Sequence, residues 1–179
     1  GQGLDHRVDL DRTSETLRDL DLVALQEVHN PFIGFGKNNA ATLGDSLGMS
    51  ALFVPSERRW GRDHFGNGLL TRIPLSNLHR IELPSTQQKK FRNAVLTTFE
   101  LDGQTVRVLM THIDRVHDHD RQLRAIFDLF VQIQSPAMLM GDLNTSPDNA
   151  DLQALLARPD VTDAVGGESS ANRHRDCVV

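Results

Sequence analysis

The stretch MLMGDLNTSP, residues 138–147, carries the strongest indication of the fold. Its apolar start predicts a buried strand over residues 137–142. This strand ends in Asp142, Asn144 follows two residues later, and the closing Ser-Pro pair predicts an N-cap with Pro147 as the first helical residue. Asp and Asn after a strand are frequent turn formers, but burying such groups is costly unless they have partners. We therefore ask which other polar groups meet them.

Strands and helices are mixed along the rest of the chain. Further strands are predicted at 22–28, 69–73, 94–101 and 105–113, and helices at 10–20, 38–48 (interrupted by Gly44) and 119–134. The first of these strands is mostly apolar, so we expect it to be central in its sheet. An Asp-Gly pair at 102–103 predicts a hairpin. The mixture favours a layered α/β (α+β) protein with mixed sheets.

Composition limits the classes of protein that this chain can represent. With 179 residues, 39% hydrophobic and 24% charged, we expect one soluble globular domain. No apolar run approaches the roughly 20 residues of a membrane span. The single Cys177 excludes an internal disulfide and a cysteine zinc ribbon. A net charge of −5 argues against a protein held on nucleic acid by bulk charge.

Several predicted strands carry a polar residue near their carboxyl end. These residues are Glu27, His112 and Asp142, while Asp176 begins the last apolar run. If the strand ends converge, they form a polar pocket above an apolar sheet, which is a common place for an active site. Each residue alone is more often a turn former, a strand-end charge or a hydrogen-bonded core histidine.

Four motifs in a fixed order point to a known family. They are Leu25-Gln-Glu-Val28, Gly66-Asn-Gly-Leu-Leu70 leading to Arg72-Ile-Pro-Leu75, Thr111-His-Ile113 and Gly141-Asp-Leu-Asn144. With them, the chain resembles the endonuclease/exonuclease/phosphatase family over nearly its whole length. The resemblance implies a deoxyribonuclease-I-like four-layer αββα sandwich. It also implies hydrolysis of phosphate esters with a divalent metal, usually Mg²⁺, with Mn²⁺ as an alternative.

The resemblance further implies roles by position. Glu27 corresponds to the family's metal-binding glutamate. Asp142 corresponds to the aspartate that orients or deprotonates the attacking water, and Asn144 to the asparagine that contacts the phosphate. His112 corresponds to a histidine that touches the phosphoryl oxygens or assists the leaving group. Asp176 corresponds to an aspartate that orients a catalytic histidine.

Two more residues, Asn67 and Arg92, occupy places where family members contact the phosphate or support the site. The chemistry agrees with these assignments, since phosphoryl transfer needs positioned cations and hydrogen-bond donors around the nonbridging oxygens. Mg²⁺ takes oxygen ligands and keeps several waters, so one or two carboxylates suffice.

The chain departs from the family at its two ends. Members usually begin with a strand that carries an Asn near the metal and end with a Ser-Asp-His segment, and Gly1–Asp5 resembles the loop that follows the first strand. We therefore expect residues 1–179 to form a single domain that is incomplete at both ends. We expect a monomer, and the sequence leaves a cytoplasmic or a secreted location open.

Other interpretations remain open at this level. His112, Asp114, His117 and His119 form a possible ligand set for a zinc or dimetal hydrolase. A binding module on a catalytically degenerate fold is a third interpretation. The substrate class, whether nucleic acid, inositol phosphate or phospholipid head group, is not decided. The stretch Glu57–Arg62, with Trp60, is either a contact for a phosphate-bearing substrate or a stacked base, or a solvated loop.

Overall fold

The computed structural model describes residues 9–31, 36–59, 61–86, 91–164 and 176–178. Its elements fall into two units, Gly1–Pro74 and Leu75–Val179. Gly1–Asp5 and Trp60, which carry two of the sequence-based expectations, lie outside the described residues. No helix in the described ranges has the length and apolar composition to cross a membrane.

The first unit contains two helices and a three-stranded antiparallel sheet. Its elements are α1 Leu10–Leu17, β1 Leu22–His29, α2 Asn39–Leu47, β2 Ser50–Arg59 and β3 Arg62–Thr71, with sheet order β1-β3-β2. The apolar face of α2 packs with sheet residues such as Val23 and Leu70. A side chain at Gly44 would meet Ala51 at 2.9 Å, so this glycine permits close packing and does not interrupt the helix.

The second unit contains two helices and a five-stranded mixed sheet. Its elements are β4 Ser76–Glu82, β5 Asn93–Leu101, β6 Gln104–His112, α3 His119–Gln132, β7 Ala137–Asp142, α4 Ala150–Leu156 and β8 Asp176–Val178. The sheet order is β4-β5-β6-β7-β8, and only the β6–β7 pair is parallel among these strands. Apolar side chains of α3 and α4 form one core with residues such as Leu109 and Leu139.

Several predicted elements agree with the structure. The strand over 137–142 is confirmed as β7, and the predicted helix over 119–134 is confirmed as α3. Asp102 and Gly103 have positive φ values of 51° and 77° in the turn between β5 and β6, which confirms the predicted hairpin. Two sheets with helices packed against them confirm the α+β class.

Three further sequence-based expectations were wrong, besides the interruption of α2 at Gly44. Strand 22–28 is β1, which lies at the edge of its sheet within the described residues and is not central. The alternative of a solvated loop at Glu57–Arg62 is wrong for most of this stretch, which belongs to β2 and β3. Strand β4 was not predicted, because its side chains are largely exposed. The N-cap of α4 is Asn149, whose Oδ1 accepts from the amides of Asp151 and Leu152, whereas the Ser146 hydroxyl bonds to Asp148.

Candidate active site

The carboxyl ends of β6 and β7 lie side by side because these strands pair in parallel. The register places Thr111 opposite Gly141 and His112 opposite Asp142. Gly141 has a φ of 137°, and a Cβ atom here would come within 1.8 Å of the Thr111 carbonyl oxygen. Glycine therefore permits the close approach at this step. One residue further on, His112 and Asp142 become neighbours.

The segment after β7 is a turn organised by the side chain of Asp142. Its Oδ1 atom accepts a hydrogen bond from the Asn144 amide at 2.8 Å, and Asn144 has a φ of 47°. The Asn144 Nδ2 group donates to the Ile113 carbonyl at 3.0 Å. The turn typical of Asp and Asn is therefore present. It uses one polar atom of each side chain and does not require Asp142 Oδ2 or Asn144 Oδ1.

His112 lies between a carboxylate and a guanidinium. Its side chain is only 4% exposed, its Nε2 atom lies 3.8 Å from Asp142 Oδ2, and its Nδ1 atom lies 3.1 Å from Arg92 Nη1. Burial, followed by the Arg92 charge, lowers the pKa of His112 to about 4 against the opposing charges of Asp142 and Asp114. His112 is therefore a neutral imidazole near neutral pH, and its contact with Asp142 is not an ion pair.

Arg92 lies just before β5, with its side chain between His112 and Asp114. Its Nε atom is 3.7 Å from Asp114 Oδ2, and both side chains are largely buried. Asp114 Oδ1 accepts hydrogen bonds from the amides of Val116 and His117, each at 2.9 Å. Burial acts to raise the pKa of Asp114, but the two amide bonds and the Arg92 charge outweigh it, so that this pKa is lowered. Asp114 is thus a carboxylate that faces the guanidinium.

Gln122 holds the segment that carries Asp114, and sequence reasoning missed it. Its Oε1 atom accepts from the Asp114 amide at 2.8 Å, and its Nε2 group donates to the Pro84 carbonyl at 2.9 Å. Gln122 is 1% exposed and lies one helical turn before Ile126, on the buried face of α3. An amide on an apolar helix face was the available signal. Asp114 entered the sequence-based expectations only as a possible zinc ligand.

The zinc interpretation gains no support from these contacts. His119 Nε2 lies 3.2 Å from the Leu143 carbonyl oxygen, and the Asp114 carboxylate is used by two backbone amides and faces Arg92. Within the described ranges, no three His, Cys, Asp or Glu residues are arranged to hold a metal. The four side chains of that interpretation therefore do not surround one point.

The short strand β8 brings a further expected residue to the end of β7. Across the antiparallel β7–β8 pair, Asp176 lies opposite Asp142. The side chain of Asp176 lies outside what the structure describes, so its expected role in orienting a histidine stays a prediction. The backbone register alone puts these two aspartates at the same level of the sheet.

In the first unit, the expected site residues Glu27 and Asn67 lie at a single β-bulge of the sheet. A β-bulge in β1 puts Gln26 and Glu27 opposite the single residue Asn67 of β3. Glu27 is exposed and has a φ of 58°. Asn67 is 0% exposed, and neither polar atom of its amide has a hydrogen-bond partner within the described residues. Buried amides without partners are rare in native proteins, so the Asn67 amide calls for an explanation.

This bulge offers donors that suit a hard divalent cation. Mg²⁺ prefers carboxylate, amide and water oxygens and keeps several waters. Glu27 provides a carboxylate in solvent, and Asn67 provides an amide oxygen at the same bulge. The residues present therefore fit the donor chemistry of such an ion.

The chain matches a family model over almost its whole length. The model of the Endonuclease/Exonuclease/phosphatase family matches residues 4–177. The matched range includes all seven expected site residues: Glu27, Asn67, Arg92, His112, Asp142, Asn144 and Asp176. No curated protein matches the chain by sequence.

Solved structures share the fold. A family protein from Leptotrichia buccalis is 20% identical with a TM-score of 0.64, and the match covers 82% of this chain and 64% of that one. The human Nocturnin catalytic domain with bound sulfate anion is 18% identical with a TM-score of 0.65, covering 94% and 72%. D. rerio TDP2, humanized by 14 mutations, is 18% identical with a TM-score of 0.67, also covering 94% and 72%.

These likenesses confirm the expected deoxyribonuclease-I-like fold class. The chain spans less than two thirds of the Leptotrichia buccalis protein, at 64% of its length. The family model spans this chain nearly end to end. The chain belongs to the endonuclease/exonuclease/phosphatase family.

Proposed function

We propose that this protein is a divalent-metal-dependent hydrolase of phosphate esters that uses in-line attack of water on phosphorus. The observation that carries the proposal is the arrangement of Arg92, His112 and Asp142 at the carboxyl end of the parallel β6–β7 pair. It combines a largely buried positive charge, a neutral imidazole and a carboxylate within a few ångströms. Such a set meets the needs of phosphoryl transfer, in which negative charge spreads over the nonbridging oxygens.

The residues at the β6–β7 end divide the work between phosphate and water. Arg92 supplies positive charge and N–H donors for phosphoryl oxygens. Asn144 has a second amide hydrogen beyond the one it donates to the Ile113 carbonyl, and this hydrogen is suited to the same oxygens. Asp142 uses Oδ1 in its turn, so Oδ2 is the atom that orients the attacking water and accepts its proton.

Glu27 holds the metal in this proposal, and the Asn67 amide supports the site or the phosphate. The bulge that sets Glu27 opposite Asn67 supports this assignment. When bound, Mg²⁺ or Mn²⁺ neutralises charge on the phosphoryl group and lowers the pKa of water. In this proposal Asp176 orients the histidine of the family's Ser-Asp-His segment, which is a different residue from His112.

The substrate is a phosphate ester whose remaining chemistry is open. The human Nocturnin domain was solved with a sulfate anion, which has the shape of a phosphate group, and this supports an anion site on the fold. The net charge of −5 disfavours long-range attraction of nucleic acid. Because the rest of the substrate's chemistry is open, inositol phosphates, phospholipid head groups and nucleic acid are all tested.

A substrate panel tests the proposal. Phosphomonoesters, phosphodiesters, inositol phosphates, phospholipids and nucleic acids are incubated with the protein in Mg²⁺, Mn²⁺ or EDTA. We expect turnover of at least one class with either metal and its loss in EDTA. Turnover that EDTA leaves unchanged contradicts metal dependence. Binding of inorganic phosphate without turnover of any class points instead to a binding module.

A matched pair of glutamate variants tests the metal assignment. We expect Glu27→Gln to raise the Mg²⁺ concentration for half-maximal activity by at least about tenfold, because a neutral amide binds the cation more weakly. The control is Glu15→Gln, a change of the same kind at an exposed position of α1. An unchanged Mg²⁺ dependence in Glu27→Gln removes Glu27 from the metal site.

A further inference from the structure

The contact between Arg92 and His112 restricts the imidazole to one tautomer. A guanidinium has only N–H donors and no acceptor, so the 3.1 Å contact from Arg92 Nη1 requires an unprotonated, accepting Nδ1 atom on His112. A neutral imidazole with an accepting Nδ1 carries its proton on Nε2. This Nε2 atom lies on the side of Asp142, at 3.8 Å from its Oδ2 atom, which is too long for a hydrogen bond.

Arg92 is itself held in place by Asp114. The Asp114 carboxylate faces Arg92 Nε at 3.7 Å through Oδ2, while its Oδ1 atom accepts from two backbone amides. The Asp114 amide is in turn bound by the buried side chain of Gln122. A carboxylate with three fixed contacts has little freedom to move, and it fixes the guanidinium on the side away from the imidazole.

We propose that Asp114 and Arg92 act as positioning residues that keep His112 in its neutral Nε2–H tautomer, so that His112 serves the reaction as a hydrogen-bond donor. This inference rests on the proposed hydrolase function and assigns the histidine one of the two roles that the family resemblance leaves open. His112 donates from Nε2 to a phosphoryl oxygen and does not act as a general base. A neutral donor also avoids an ion pair that would draw Asp142 away from water.

The charged groups around His112 agree with this role. In the described part of the chain they are Arg92 before β5, Asp114 after β6 and Asp142 at the end of β7. The guanidinium and burial oppose protonation of the ring, and the two carboxylates favour it less strongly. The ring therefore remains neutral over the pH range in which a solvent-exposed histidine titrates.

Nitrogen NMR on histidine-labelled protein tests the tautomer directly. Long-range proton–nitrogen correlation distinguishes protonated from unprotonated ring nitrogens, and the His112 signals are assigned by their loss in His112→Gln. We expect a protonated Nε2 and an unprotonated Nδ1 from about pH 5.5 to 8. A protonated Nδ1, or a ring protonated on both nitrogens at about pH 6.5, overturns the proposal.

Variants of the two positioning residues extend the test. Arg92→Met removes the donor, so we expect a mixture of tautomers, and Arg92→Lys partly restores the single one. Asp114→Asn retains an acceptor for both amides but loses the charge, and we expect an intermediate mixture. Arg124→Met and Asp151→Asn, which break an exposed ion pair elsewhere, serve as matched controls. If the His112 spectrum is unchanged in Arg92→Met, the proposal is overturned. If it is unchanged in Asp114→Asn, Asp114 is not a positioning residue.

Activity measured on the same samples separates this inference from the proposed function. We expect the pH profile of kcat/KM to gain an ionisation in Arg92→Met that the wild type lacks. The expected spectrum without turnover of any phosphate ester refutes the hydrolase function but leaves the tautomer assignment standing. Turnover of a phosphate ester by a protein whose His112 is protonated at Nδ1 supports the hydrolase function and refutes the tautomer assignment.

Discussion

His112 lies opposite Asp142 across the parallel β6–β7 pair, and Nε2 of the imidazole is 3.8 Å from Oδ2 of the carboxylate. The imidazole is neutral because it is buried and because Arg92 occupies its other nitrogen. Asp142 therefore has a neighbour that leaves its negative charge uncompensated. A carboxylate in this position is suited to bind and orient a water molecule, which an ion-paired carboxylate does less well.

The stability of the fold should fall as the pH is lowered from about 6.5 towards 4. The pKa of His112 is lowered from 6.5 in the unfolded chain to about 4 in the fold, so the native state binds fewer protons between these values. The stabilisation is full above the unfolded pKa and is lost as pH falls through the folded one. We expect the unfolding free energy to fall by up to about 3 kcal/mol over this pH range. Denaturant unfolding at several pH values measures the loss.

The control for this pH effect is a histidine substitution at each of two positions. His112→Gln should remove most of the loss between about pH 6.5 and 4, because the titrating group is gone. His79→Gln, at an exposed position of β4, should leave the pH dependence as in the wild type. Equal pH dependence in wild type and His112→Gln would show that another group is responsible.

Asp142→Asn should abolish catalysis while preserving the fold. Asparagine retains an Oδ1 acceptor for the Asn144 amide, so the turn persists. It lacks the charge and basicity of the carboxylate, and we expect kcat to fall by at least about 100-fold. The control is Asp128→Asn, at an exposed position of α3, and melting temperatures verify folding. A kcat within tenfold of wild type would exclude Asp142 as the group that handles water.

The sequence predicted most of the second unit because its signals are local. The apolar run of 137–140, the apolar stripe of α3 and the Asp-Gly turn each act over a few residues. Strand β4 escaped prediction because it lies at the edge of its sheet, where exposed side chains remove the apolar pattern. The start of β3 was missed for a related reason, since its first residues are charged and partly exposed.

Sequence reasoning named Arg92, His112 and Asp142 as site candidates, but it missed their contacts, the side chain of Gln122 and the place of Asp114 beside Arg92. His112 and Asp142 were expected near one another as strand ends, and the parallel register confirms this. Arg92 contacts His112 and Asp114, which lie at least 20 residues further along the chain. No local sequence pattern encodes contacts over this distance. Such contacts depend on the register of whole strands, which periodicity does not fix.

Gly141→Ala should destabilise the fold strongly. The new methyl group would lie within 1.8 Å of the Thr111 carbonyl oxygen, and φ at this position is 137°. Separating β6 from β7 or straining the backbone should cost more than about 3 kcal/mol of unfolding free energy. Gly103→Ala is the matched control, because its φ of 77° brings backbone strain while no atom lies within 4 Å. Equal losses in the two variants would mean that the strand contact is not limiting.

Asn67→Leu should stabilise the fold and reduce activity. Asn67 is 0% exposed in the middle strand of the first unit's sheet, and its amide has no partner within the described residues. Leucine has the same branched skeleton of heavy atoms and removes the cost of burying an unpaired amide, so we expect the unfolding free energy to rise by about 1 kcal/mol. We also expect kcat/KM to fall at least about tenfold, because a residue kept against stability serves the site.

A second buried asparagine provides the contrast for this prediction. Asn93 donates from Nδ2 to the Phe91 carbonyl, so Asn93→Leu should lower the unfolding free energy by about 1–3 kcal/mol. Denaturant unfolding of both variants gives the comparison, and steady-state kinetics of Asn67→Leu gives the activity. If Asn67→Leu is destabilised as much as Asn93→Leu, the Asn67 amide has a structural partner. Its role is then in the fold, and Asn67 no longer belongs to the proposed site.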